Sequence, residues 1–297
     1  MINLFKKACL ATALILATAA CGDSNKPAPE PNIVEVAQAA GDFNTLVGAL
    51  EATGLDETLS GDGPFTVFAP TDNAFALLPP GLVASLSVDQ LTAVLTYHVV
   101  SGEVDAATVV TLDEADTVQG SPIVIQIDDG TVVLDGRVQV ITTDIRASNG
   151  IIHVIDAVLI PGNEFPGNAV DALAASPRFS SLVNAVGETD LAGALTGDND
   201  GNGFTIFAPT DNAFAALGDI VLTVEELRQV LLYHVASGVV PAEVVVTLPS
   251  VETLQGGLVT IKVEDGAVIL NDSAVVEWVD LRVSNGIIHV ISAVLIP

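Results

Sequence analysis

The side chains best suited to chemistry in this 297-residue chain are its four histidines, His98, His153, His234 and His289. Two follow a tyrosine, as Tyr97-His98 and Tyr233-His234, and two lie in a repeated GIIHVI segment. Imidazoles can bind a metal or shuttle a proton near neutral pH. Zinc, however, needs several donors at close and characteristic spacing, and no cysteine or carboxylate is spaced to join these rings. No serine or cysteine nucleophile motif accompanies them. The pattern favours rings held inside a scaffold by hydrogen bonds. A binding surface is the next reading, and a metal pair or general base the last.

The carboxylates divide in the same way. Asp72 and Asp211, each in an APTD block, suit helix capping better than acid catalysis. The run Asp198-Asn199-Asp200-Gly201-Asn202-Gly203 matches the first half of an EF-hand calcium loop. The glutamate that should close the loop is replaced by Pro209, and a strand is expected from Phe204. An acidic turn is the better reading, with Asp198, Asp200 and Asn202 as weak calcium candidates. No catalytic residue is assigned and no cofactor is expected.

The elements that must position these groups occur twice. FTVFAPTDNAFA at Phe65–Ala76 returns as FTIFAPTDNAFA at Phe204–Ala215. Tyr97-His98-Val99 returns as Tyr233-His234-Val235, and SNGIIHVIDAVLIP at Ser148–Pro161 returns at Ser284–Pro297 with one change. Three blocks in one order define a tandem repeat. The second copy carries a longer loop, GDNDGNG, before Phe204, as surface loops tolerate. Each copy opens with apolar residues at helical spacing, broken near Gly41 in the first. A strand follows at Phe65–Ala69, then a helix near Asn73 capped by Thr71 or Asp72. Ser87–Gln90 and Thr223–Glu226 read as capping boxes. Beyond the Tyr-His pair, β-branched runs alternate with Asp-Gly and Asn-Gly turns, and Asn149-Gly150 and Asn285-Gly286 are expected to turn into the last strand. Helices first and strands after argue for α+β units.

The chain's charge is lopsided, with 9 basic and 37 acidic side chains, which repels nucleic acid and anionic headgroups. Residues 1–20 read as a signal peptide: Lys6 and Lys7, an apolar stretch too short to span a bilayer, then Ala19-Ala20. Cys21 follows, and resembles the acylated first residue of a bacterial lipoprotein. Thr18 departs from the usual leucine-like residue three positions before it, and cleavage without acylation would yield a secreted protein. Residues 21–31 are polar and Pro-rich and read as a tether. Domains are expected at 32–161 and 168–297, joined by a linker at 162–167.

Together, the FAPTDNAF block, the Tyr-His pair and the terminal NGIIHVIDAVLIP resemble the fasciclin-like domain, over nearly all of both copies. The resemblance implies two tandem domains, each a wedge-shaped antiparallel β-sandwich of about seven strands flanked by helices. It implies extracellular or periplasmic placement and adhesion or matrix contact without catalysis. Some members bind integrins through the Tyr-His region, which maps to Tyr97, His98, Tyr233 and His234. Acidic-aliphatic pairs used in adhesion by some relatives map to Asp144-Ile145 and Asp280-Leu281. The expected partner is a protein or matrix polysaccharide, with the membrane met only through a lipid. Other relatives carry a carotenoid or another apolar ligand, which is the alternative reading.

Overall fold

The computed structural model describes residues 30–218, 222–264 and 266–297. The signal segment, Cys21 and most of the tether lie outside them. Among the described residues the chain forms two copies of one architecture, each a layer of short helices set against a seven-stranded sheet.

Local chemistry explains the first helices. Asn32 accepts from Glu35 N while Glu35 reaches back to Asn32 N, so Ile33–Ala40 starts with a reciprocal cap. It stops at Gly41, whose φ of 80° suits a residue without Cβ. Asn44–Thr53 starts at Phe43, which offers no side-chain cap. That cap comes from elsewhere: Asp72 Oδ1 accepts from Thr45 N at 2.7 Å and Oδ2 from Asn44 N at 3.3 Å. These backbone bonds hold the Asp72 carboxyl below its ordinary pKa. Asp72 therefore caps a neighbouring helix rather than its own, which Thr71 caps at Ala74 N. Asp211 does the same for the second copy, accepting from Ser181 N. Both capping boxes read from the sequence are present, at Ser87–Gln90 and Thr223–Glu226.

The strands of the first unit are β1 (Phe65–Pro70), β2 (Val99–Ser101), β3 (Glu114–Asp116), β4 (Pro122–Asp128), β5 (Thr131–Leu134), β6 (Val138–Ala147) and β7 (Gly150–Ile155). Their order across the sheet is β2-β1-β7-β6-β5-β4-β3, and a bridge between Val100 and Thr117 nearly closes it. The second unit repeats this with β8 (Phe204–Pro209), β9 (Val235–Ser237), β10 (Ser250–Glu252), β11 (Leu258–Glu264), β12 (Ala267–Leu270), β13 (Ala274–Val283) and β14 (Gly286–Ile291). The expected antiparallel pairing holds for every neighbour but one: β1 runs parallel to β7, and β8 to β14. These strands are buried on both faces, as parallel pairs usually are.

The Asn-Gly blocks serve this pairing as well as the turn. The turn residues are Ser148 and Asn149, because Ala147 already pairs with Gly150. Gly150 is there because a Cβ would fall 2.0 Å from Phe65 O, and one at Gly286 would fall 2.2 Å from Phe204 O. Asn149 stitches the layers together. Its Oδ1 accepts from Ile33 N, and its amide donates to Leu59 O and Gly61 O. Asn285 makes the same three bonds in its own unit.

Candidate functional site

The Tyr-His pairs end the helices Val88–Tyr97 and Val224–Tyr233. All four side chains are buried, so they face the interior of each unit and not a contact surface. His98 Nδ1 donates to Val94 O at 2.8 Å, and Nε2 accepts from Leu159 N at 3.0 Å. His234 repeats this between Val230 O and Leu295 N. Burial drives both rings down to a pKa of about 4, so they are neutral at pH 7.

The other two rings brace a bulge. His153 Nε2 donates to Val104 O, and Nδ1 accepts from Asp144 N. His289 makes the matching bonds to Val240 O and Asp280 N. Asp144 and Asp280 sit at φ of 59° and 61°, where β6 and β13 shift register. Their carboxylates accept from Ala106 N and Ala242 N, at the starts of two short helices. Ile145 and Leu281 point inward from the bulge, half-buried and buried respectively. These four positions therefore latch a strand to a helix. Both nitrogens of every histidine are engaged, which leaves no lone pair for a metal and no free base.

In the GDNDGNG loop, Asn199, Asp200, Gly201 and Gly203 all have positive φ. Asn199 donates to Gly203 O and Ser237 Oγ, which closes the loop on itself. Among the described residues no group of three or more His, Cys, Asp or Glu side chains could hold a metal.

The copies part ways at one place that sequence reading passed over, the junction between them. The turn Leu134–Arg137 of the first unit meets three residues of the second. Ser176 Oγ donates to Arg137 O, and Arg178 donates to Gly136 O. A Cβ on Gly136 would lie 2.4 Å from Trp278 Cγ, so the indole needs glycine there. Arg178, almost fully buried, also pairs with Asp128 at 2.5 Å and Glu277 at 3.6 Å. Gln126 Nε2 donates to Glu277 O at 2.8 Å. The cluster is rich in acid, and burial raises the Glu277 carboxyl and takes Asp156 to about 6. Beside it Tyr97 bonds Asp135, and Nη1 of buried Arg137 finds no acceptor among the described residues. Leu78 and Val158 of the first unit join the apolar cluster of the second. The segment 162–167 is itself tied to β13, with Phe165 N donating to Arg282 O.

Fold and junction define a class: a tandem pair of α+β modules, each with a nearly closed seven-stranded sheet. The Fasciclin domain profile matches residues 41–161 and 177–297, and the chain belongs to that family. It is 50% identical over 134 residues to an uncharacterised protein of Synechocystis sp., covering 44% of this chain and 99% of that one. It is 28% identical over 294 residues to the transforming growth factor-beta-induced protein ig-h3 of Sus scrofa, covering 93% of this chain and 41% of that one. Among solved structures it resembles a FAS1 domain pair from the insect cell adhesion molecule Fasciclin I. That likeness has 19% identity and a TM-score of 0.47, covering 87% of this chain and 98% of the other.

Proposed function

We propose that this chain is an exported, lipid-anchored protein that makes adhesive or matrix contacts without catalysis. The observation that carries the reading is the doubled Fasciclin domain, and the resemblance to that family implies adhesion or matrix contact. The histidine bonding supports it, because the side chains best suited to chemistry are spent on holding the fold. Among the described residues no helix is long and apolar enough to cross a membrane, so attachment falls to Cys21 in this reading. The carrier alternative gains little support. The enclosed apolar cavity beneath the helices of the second unit, lined by Leu173, Val186, Ile206 and Leu231, holds about 20 Å³, and the larger cleft of about 400 Å³ beside Tyr97 and Trp278 is open to solvent. A drug-sized ligand needs roughly 300 Å³.

Two experiments test the proposal. A strain lacking the gene should attach to surfaces, form biofilm and aggregate less than its parent, with recovery on re-expression. Normal behaviour in all three assays would overturn the adhesion reading. Separately, Cys21→Ser should move the protein from the membrane fraction to the soluble fraction. A wild type that is already soluble would remove the anchor.

A further inference from the structure

The junction is heterologous: a face of the first unit meets a different face of the second. Each unit carries a copy of both faces, so the pair leaves one of each unused at its outer ends. Head-to-tail contacts of this kind propagate into filaments unless something stops them. The unused faces differ from the junction at many positions, with Ala40 for Ser176, Ile141 for Glu277 and Ser273 for Arg137 among them, and four of the exposed differences bear most directly on docking.

On the donor face, Asp42 stands where the second unit has Arg178, and Thr142 where it has Trp278. On the acceptor face, Asp272 stands where the first unit has Gly136, and Lys262 where it has Gln126. Each change closes the face. Asp272 removes the slot that Gly136 offers to an indole, and Thr142 brings no indole to fill one. Lys262 Nζ pairs with Glu264 at 2.8 Å and Asp272 at 3.4 Å, so a cation of the unit's own stands beside the acid that corresponds to Asp128. A second chain brought up in the same pose would place Asp42, in place of the arginine, against Glu264 and Asp272. Like charges at close range oppose docking.

We infer that these four positions form a docking code used once: they seat the second unit on the first and bar a further copy of the chain from either outer end. Two experiments on the full chain test it. The first writes the closed residues into the junction, as Gln126→Lys, Gly136→Asp, Arg178→Asp and Trp278→Thr. Small-angle scattering should show a larger radius of gyration and a longer maximum dimension, with circular dichroism unchanged. Gly136→Asp alone should give the same change in weaker form, since Asp272 already occupies that backbone position with a φ of 55°. Scattering identical to wild type from folded variants would overturn the code.

The second experiment opens the outer ends. One variant carries Asp42→Arg and Thr142→Trp, and the other carries Lys262→Gln and Asp272→Gly. Each alone should sediment as a monomer, as should the wild type. Mixed at high concentration, which stands in for the missing linker, they should form a 1:1 complex, and a chain with all four changes should form longer chains. Self-association of the wild type in this pose, or no complex on mixing, would overturn the inference.

Discussion

Each buried imidazole works as a two-ended strut, donating from one nitrogen and accepting at the other, so the neutral ring is the form that fits. This sets a pH dependence whose direction is fixed. His98 and His234 titrate near 4 when folded and near 6.5 when unfolded. Above about 6.5 both states are neutral and the rings cost nothing. Between 6.5 and 4 only the unfolded chain takes up protons, so folding loses on the order of 3 kcal/mol per ring by pH 4. Asp156 opposes this, because its raised pKa of about 6 lets the folded state bind a proton first. Asp135 and Glu277, also raised by burial, act with Asp156, while His289, lowered by burial, and Asp72, held low by its backbone bonds, act with the two rings. The urea midpoint should fall from pH 7 to pH 4.5, and Asp156→Asn should steepen the fall. A flat profile would contradict this account of the histidines.

Among the elements, the centre of each sheet depends on one close approach. Gly150→Ala and Gly286→Ala should each destabilise their own unit by about 3 kcal/mol, since the added methyl meets a strand carbonyl that cannot move aside. Denaturant unfolding of the two variants measures this. The caps, the alternating strands and the repeat were legible in the sequence because they are local patterns. The parallel pairing of β1 with β7 was not, since nothing within a strand says which distant strand lies beside it. The Asn-Gly blocks do lie at the hairpin turn, with the Asn in it and the Gly opening the last strand, but the turn signal told only part of their role. They matched a turn signal, while the asparagine was needed by helices far along the chain and the glycine by a carbonyl of β1. Asp144 and Asp280, mapped only through the resemblance, sit at a backbone bulge that no local pattern in the sequence announces.

For the molecule as a whole, the decisive residues are the ones at which the copies disagree. Arg178 is the cation facing Asp128 and Glu277, and removing one partner of a buried pair leaves the others without compensation. Arg178→Ala should cost about 3 kcal/mol and uncouple the units, so that calorimetry resolves two transitions set further apart than in the wild type. Arg178→Lys should recover only part, because an ammonium cannot serve Asp128 and Gly136 O together in the same fork. Sequence comparison alone does not single out this junction, since Arg178, Trp278 and Gly136 are three among many positions at which the copies differ. What it lacked was the knowledge that these scattered differences meet in space.

The parallel seam has one more consequence, for the order in which the chain becomes available. β1 precedes β7 by most of the length of a unit, so the middle of the sheet cannot assemble until the last strand has emerged. Contacts between such distant segments form slowly. On the export reading proposed above, that delay is useful: a unit still threading through a translocon lacks the strand that would lock it, and stays open until both of its ends have arrived on the far side.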